Sequence, residues 1–378
     1  SARSGEGAMR IDKVEAVPVM VPLKKIFSGS GYRVDSRCTV VTRIRTADGL
    51  SSEVYNGDNR AHGGAIARIV EDELAPMLIG EDASRIERLW AKMFTLAHPN
   101  RDRKLVMEAI ACVDTALWDL LGKALGINVS TLLGGYCERL PIIAIAGYYE
   151  NGKTPADLAR EMEWLRGEGM AGCKVKVGGL AAAADSERVA ACRAGAGHDF
   201  ILAVDANRGW PTSEAIKFAR LVEEYDIRWF EEPCHWYDEA AGMAEVRRRT
   251  TIPVTAGQSE VSAYGIRRLV ATGAVDLVNF DASEGGGITE WRRAAALCAL
   301  HGIEMAHHEE PQISVQMLSA VPHGTYVECF PDPERDPLWA AMIKNRPPIR
   351  GGIIEVPQGP GFGLELDWDL IARYRLDR

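Results

Sequence analysis

Residues 200–232 read FILAVDANRGWPTSEAIKFARLVEEYDIRWFEE. Phe200–Asp205 is a short apolar, β-branched run. Turn residues follow it, then a helical stretch, then a second apolar run, Arg228–Glu232. Runs of this length bounded by turn residues suit buried strands. The same unit recurs along the chain as IIAIAGYY (142–149), CKVKV (173–177), IPVTAG (252–257), VDLVNFD (275–281), IEMAHH (303–308) and TYVECF (325–330). Eight strands at roughly 25-residue spacing, with helices of about 10–15 residues between them, predict a closed parallel barrel. A doubly wound open sheet is the alternative. Against it, no G-x-G-x-x-G follows the first strand, and GGLAAAADSE after Val177 lacks that pattern.

Upstream of the barrel the pattern differs. IDKVEAVPVMVPL (11–23) and CTVVTRIRTADGLSSEVYNG (38–57) read as strands, the second turning at Asp48-Gly49. Between them Lys24–Asp35, with Ser28-Gly29-Ser30-Gly31, has the composition of a mobile loop. Helical spacing then runs through residues 63–80 and 83–96, where Ser84 and Glu87 fit a capping box. It is strongest over 108–126, where Ile110, Val113, Leu117 and Leu120 share a face and Gly126 offers a stop. After Phe330 come the loop PDPERDPLW and a turn-rich tail, GGIIEVPQGPGFGLELD, expected to pack on the N-terminal region. The expected divisions are 9–138, 139–345 and 346–378.

The composition fits this picture. Of 378 residues, 47% are hydrophobic and 26% charged, as in ordinary globular proteins, so disorder is excluded as the main state. The formal charge of −9 disfavours nucleic acid and anionic membrane as partners. None of the eight cysteines forms a C-x-x-C pair, which argues for free thiols in a reducing cytoplasm. Residues 1–8 read as an expression scar. They carry no secretory signal, and no apolar run has the length of a membrane span.

In a barrel of this kind, functional side chains sit at the C-terminal ends of the strands. Those ends carry Lys174 and Lys176, Asp205 and Asn207, Glu231 and Glu232, Gln258 and Glu260, Asp281, His307 and His308, and Glu328. A polar ring at strand ends is not the pattern of a mere scaffold. Lys174 and Lys176 share one face, while Cys173, Val175 and Val177 take the other and pack under helices. Two neighbouring ammoniums repel, which is expected to lower a pKa toward that of a working base. Asp205, Glu231 and a third oxygen from the next strand suit Mg²⁺. Asp281 and His308 lie on neighbouring strands, where a carboxylate orients an imidazole and raises its basicity.

The sequence resembles the enolase superfamily, mandelate racemase-like branch. AIACVDTALWDLLGKALGINVSTLLGG (109–135), KVK (174–176), VDAN (204–207), FEEP (230–233), VNFDAS (278–283), AHH (306–308) and VECF (327–330) carry the resemblance, in the family's order. It implies an α/β protein: a modified (β/α)7β TIM-type barrel, with an α+β capping domain formed by the N-terminal region and the C-terminal tail. By position, Lys176 would be the base on one face of the substrate and Lys174 its electrostatic partner. His308, supported by Asp281, would serve the other face. Asp205 and Glu231 would bind one Mg²⁺ per subunit, Asn207 a substrate hydroxyl, and Glu328 the substrate carboxylate as it becomes an enediolate, for which Glu328 would need to hold or share a proton.

One departure concerns the third metal ligand. The family has Gly-Glu at the end of strand five; this chain has Gly257-Gln258-Ser259-Glu260. Gln258 aligns with the ligand. Glu260 has the same strand parity, and a third carboxylate would hold the cation more tightly, so Glu260 is the expected ligand and Gln258 the alternative. The expected reaction is dehydration of a sugar acid, mono- or diacid, to a 2-keto-3-deoxy acid. This rests on the family and on a polar segment around Lys24, Lys25, Tyr32, Arg33, Asn56 and Asp58, with Tyr32 and Asn56 as substrate contacts. A racemase or epimerase of a 2-hydroxy acid is the alternative; a non-catalytic binding protein on the same scaffold ranks third. The resemblance also implies a homo-oligomer, with an octamer as the form to test.

Overall fold

A computed structural model describes residues 9–235 and 239–376. The segment read as an expression scar lies outside the described residues. The chain opens with a three-stranded antiparallel sheet, β1 (Ile11–Ser28), β2 (Arg33–Thr46) and β3 (Ser51–Asn56). Lys24–Ser28 is therefore strand and not loop. β1 resumes pairing with β2 at Phe27–Val34 after an irregularity beyond Pro22, so only residues 29–32 turn. Helices follow over Gly63–Leu78, Ile86–Phe94 and Arg103–Leu125.

The last of these behaves as its spacing predicts. Asp102 caps its start by accepting from Leu105 N at 3.1 Å, and Gly126 ends it at φ 72°. The capping box at Ser84 does not form. Ser84 donates to Asp82 instead, and Glu87 reaches across to Arg292 and Arg293.

The eight barrel strands all form: β4 (Arg139–Ala146), β5 (Gly172–Lys176), β6 (Ile201–Asp205), β7 (Ile227–Glu231), β8 (Val254–Ala256), β9 (Leu277–Val278), β10 (Glu304–Met305) and β11 (Val327–Cys329). They pair in parallel and in sequence from β4 to β10, and β11 pairs back onto β4. Between β10 and β11 the wall is bridged by Thr325 N donating to Met305 O at 2.9 Å. Seven helices connect the eight strands among the described residues, which gives the (β/α)7β order. Ile143, Ala203, Trp229 and Leu277 form their own buried cluster.

The tail binds both halves. Its hairpin, β12 (Ile349–Arg350) and β13 (Ile353–Glu355), adds antiparallel to β4. The chain then returns to the first sheet, where Trp368 Nε1 donates to Glu53 at 2.8 Å and Leu376 N to Pro18 O at 2.9 Å. The capping region thus contains both ends of the chain. Its long helix lies against the start of the helix Ile288–Leu300 that follows β9, where Trp118 Nε1 donates to Thr289 Oγ1 at 3.0 Å and Asp114 accepts from Thr289 N at 2.9 Å. The β1–β2 turn docks on the barrel mouth. Ser30 Oγ donates to Ala206 O at 2.7 Å, and a Cβ at Gly209 would lie 2.6 Å from Ser30 Cβ, so glycine permits the contact.

Candidate active site

At the C-terminal ends of the strands lies a cavity of about 570 Å³, walled by the barrel on one side and by the β1–β2 turn and residues 58–62 on the other. Of the residues expected from sequence, Tyr32, Lys176, Asn207, Gln258 and His308 line it directly. Lys174, Asp205, Glu231 and Glu328 are fully or almost fully buried.

Strand register builds the first cluster. Lys176 pairs with Asp205, and Asp205 with Glu231, on three neighbouring strands. Side chains in register on parallel strands stand side by side. Lys174 Nζ lies 2.9 Å from Glu231 Oε1 and 2.7 Å from Glu328 Oε1. Lys176 Nζ donates to Asp205 Oδ2 at 2.7 Å and to Asn207 Oδ1 at 3.2 Å. The expected lysine–lysine repulsion is outweighed. Burial disfavours both ammoniums, but Glu231 and Glu328 around Lys174, and Asp205 beside Lys176, raise both above the usual lysine range. Burial pushes Asp205 up too, and the two lysines more than reverse it, holding the carboxyl below its ordinary value. Glu231 is lifted to about 8 by burial, against the pull of Lys174. A nearby cation would favour the ionised form of Glu231 and complete a cluster of three carboxylates and two ammoniums with one formal negative charge to offset.

Of the two candidates for a third ligand, Gln258 lines the cavity and Glu260 does not. Glu260 ion-pairs with Arg268 at 2.9 Å, on the helix that follows β8. Among the described residues, its carboxylate does not gather with those of Asp205 and Glu231. Residues 257–260 leave strand geometry after β8, so strand parity no longer decides where Glu260 points. Gln258 lines the cavity instead. Its Nε2 faces Glu232 Oε2 at 3.5 Å, and its Oε1 is buried with no hydrogen-bond donor. Glu232 is itself held by Ser259 Oγ at 2.7 Å and by Arg208 at 3.0 Å. A buried amide oxygen without a donor, at the end of the strand next to the one that carries Glu231, is a hard donor of the kind that fits a divalent cation.

The second cluster faces it from β9 and β10. His308 Nδ1 lies 2.8 Å from Asp281 Oδ2, and Ser283 holds Asp281 through N and Oγ at 2.8 and 2.6 Å. Burial alone would depress His308. Glu309 and the Asp281 hydrogen bond outweigh it and lift the imidazole to about 10, so it is charged at neutral pH. His307 is spent on the backbone, accepting from Ala282 N at 3.0 Å, and burial lowers its pKa. Ligand atoms of Asp281, His307 and Glu310, and of Asp281, Glu284 and His308, also lie within 4.8 Å of one another. The hydrogen bonds to Ala282 and Asp281 already occupy one nitrogen of each histidine.

Asn56 is corrected. It sits behind the cavity wall, donating to Ser283 O at 3.2 Å, and the neighbouring Asp58, Asn59 and Arg60 line the space instead. Lys24 and Lys25 also turn away, to Glu334 and Glu150. Sequence reading missed Arg37, Tyr148, Arg208, Glu309 and Arg335. Arg37 is buried and pairs with Asp58, Glu309 and Asp336. Backbone conformation would not have been legible either: Arg60, Asn207, Arg208, Glu232, Glu309 and Glu310 all have φ between 41° and 63°. Non-glycine residues in that region cost energy and gather where surrounding structure fixes a functional geometry.

Two family models match the chain. Residues 13–134 match the mandelate racemase/muconate lactonizing enzyme N-terminal domain, and residues 157–370 the enolase C-terminal domain-like family. A solved mandelate racemase/muconate lactonizing enzyme from a marine actinobacterium, in complex with magnesium, is 44% identical. It superposes at a TM-score of 0.91, covering 97% of this chain and 99% of that one. D-galactarolactone cycloisomerase of Agrobacterium fabrum is 30% identical over 93% of this chain and 94% of its own length. L-talarate/galactarate dehydratase of Salmonella typhimurium is 28% identical over 93% and 86%.

Proposed function

The chain belongs to the mandelate racemase/muconate lactonizing enzyme branch of the enolase superfamily, and from that premise we propose that it dehydrates a sugar acid to a 2-keto-3-deoxy acid. The observation that carries the reading is one cavity lined by both Lys176 and His308, the latter held 2.8 Å from Asp281. Removal of a proton α to a carboxylate needs a base, and loss of the β-hydroxyl needs an acid. A lysine and an imidazolium supply that pair.

Asp205, Glu231 and Gln258 would hold Mg²⁺, in line with the magnesium in the actinobacterial relative. Once bound, it would supply a Lewis acid that offsets charge growing on the substrate carboxylate. Were Asp205 to serve as a ligand, it would no longer hold the Lys176 ammonium; Lys176 would then give its proton to solvent and, as the neutral amine, take the C2 proton. Lys174 and Glu328 would stay beside the carboxylate, the first opposing its charge and the second ion-paired to Lys174 at 2.7 Å. Asn207 is placed to accept from a substrate hydroxyl. His308 gives its proton to the departing hydroxyl, which leaves as water, and the enol becomes the ketone. Asp281 positions the ring and stabilises its charged form.

A second outcome of the same proton abstraction is reprotonation at C2. A racemase would use the Lys176/His308 pair without loss of water. Incubating the protein with Mg²⁺ and a library of acid sugars in D₂O separates these readings. A new carbonyl with α-deuterium exchange supports dehydration. Exchange without a carbonyl supports racemisation or epimerisation. Neither signal across mono- and diacids would sink the proposal. The eight cysteines are free and no described helix is long and apolar enough to cross a membrane, which fits the cytoplasm. We propose a homo-oligomer, which light scattering tests directly.

A further inference from the structure

Arg335 lies in the loop after β11 and is 3% exposed, yet it lines the active-site cavity. Its guanidinium stacks on Phe330, with Cζ 3.9 Å from the ring centroid. Nε donates to Tyr148 Oη at 3.2 Å, and Nη1 is buried with no hydrogen-bond acceptor. The carboxylates in this region are committed elsewhere. Asp58, Glu309 and Asp336 converge on Arg37 at 2.9, 2.7 and 3.2 Å, and none reaches Arg335 within 4.0 Å. A permanently charged fork, buried and incompletely bonded, needs an acceptor the protein itself does not supply.

The surroundings indicate which acceptor. Tyr148 Oη takes the Arg335 hydrogen bond and so keeps its own proton to donate. Lys176 Nζ stands 6.0 Å from the Tyr148 ring centroid, which places this pair one substrate segment from the base. Arg60 lies over the Tyr32 ring on the same wall, its Cζ 5.1 Å from the centroid. A terminal hydroxyl would satisfy one donor but not the charge. A carboxylate matches the planar fork and the hydroxyl together.

We propose that Arg335 and Tyr148 receive a second carboxylate at the far end of the substrate, so that the substrates are dicarboxylic sugar acids. This rests on the reaction proposed above and narrows its substrate class. The first test uses the Mg²⁺-loaded wild type on hexarates and on hexonates of matching configuration, reading kcat/KM and α-deuterium exchange. The best hexarate should exceed its hexonate by about 100-fold. Arg335→Met should abolish that preference, cutting kcat/KM on the hexarate about 100-fold, mainly through KM, with less than about a threefold change on the hexonate. Tyr148→Phe should act in the same direction and less.

Should Arg335→Met fail to fold, the wild-type preference still decides. Unreactive dicarboxylates should then raise the melting temperature of the wild type more than matched monocarboxylates. Hexonates turned over as well as hexarates, a 6-phosphohexonate preferred to both, or a variant that loses both activities equally would each overturn the proposal while leaving the parent reaction standing. Absence of both a new carbonyl and exchange on every acid would overturn the parent reaction, and this inference with it.

Discussion

Two buried charge clusters meet in the cavity, and they are built differently. One is Lys174, Lys176, Asp205, Glu231 and Glu328, all borne on strands and set side by side by register. The other is Arg37, Asp58, Glu309, Asp336 and Arg335, drawn from the capping sheet and from loops far apart in sequence. The first is the same kind of site whatever the substrate, because proton abstraction next to a carboxylate fixes its parts. The second has no such constraint. It holds cap to barrel through Arg37 and leaves Arg335 open to a ligand. On the reading proposed above, chemistry would reside on the rigid strands, and fit and selectivity on loops that can vary.

If that division holds, damage to each cluster should read out differently. Lys176→Met should cut the rate of C2 proton exchange by about 10⁴-fold, since it removes the base. Residual exchange near the wild-type rate would show that His308 alone abstracts the proton. Arg37→Met should instead act on the fold. It leaves three carboxylates without their shared buried partner, a change that costs about 3–5 kcal/mol in comparable sites. Urea unfolding measures it, and an unchanged midpoint would mean that the loop cluster does not tie cap to barrel.

The same contrast explains what could be read from the sequence. Lys174, Lys176, Asp205 and Glu231 were legible because a period-2 strand fixes which face a side chain takes, and the parallel pairing fixes its neighbour. Asp281 and His308 lie past the ends of β9 and β10, so their 2.8 Å contact was legible from the order of the strand ends and not from strand parity. Glu260 pairs with Arg268 outside the cavity lining because residues 257–260 have already left the strand, and parity means nothing in a turn. Asn56 ends β3 in the right region but points at Ser283 O, a distinction that only tertiary packing makes. Arg335 sat in plain view within PDPERDPLW. Proline and charge mark a loop there, and no local pattern reveals that the loop folds inward over Phe330.

The Asp281–His308 pair gives a pH test of the strand-borne chemistry. His308 is raised from 6.5 to about 10, so its stabilising contribution is full below pH about 6.5 and is lost as pH rises through about 10. The acid form should persist in the same range, and dehydration should fall off only in alkali. Asp281→Asn removes the hydrogen-bonded carboxylate. It should lower the rate by about 10²-fold and move the alkaline limb of the pH profile to lower pH. A limb that stays in place would assign the acid to another group.

The smallest effects sharpen the boundary between the cavity and the turn after β8. Gln258→Glu adds a formal charge where the buried amide oxygen now lacks a donor. It should tighten Mg²⁺ binding about tenfold, as measured by calorimetry. Glu260→Gln should leave that affinity unchanged. It breaks an ion pair whose Arg268 side is 52% exposed, so the stability cost should stay below about 1 kcal/mol. The two substitutions stand two residues apart and exchange the same pair of groups in opposite directions. If Glu260→Gln weakens Mg²⁺ while Gln258→Glu does nothing, the turn must rearrange on metal binding to bring Glu260 inward, and the strand-borne cluster extends past the strand. If the responses fall as expected, the metal is held by two carboxylates and a neutral amide. The full cluster with Mg²⁺ then carries one net positive charge, which a single substrate carboxylate neutralises.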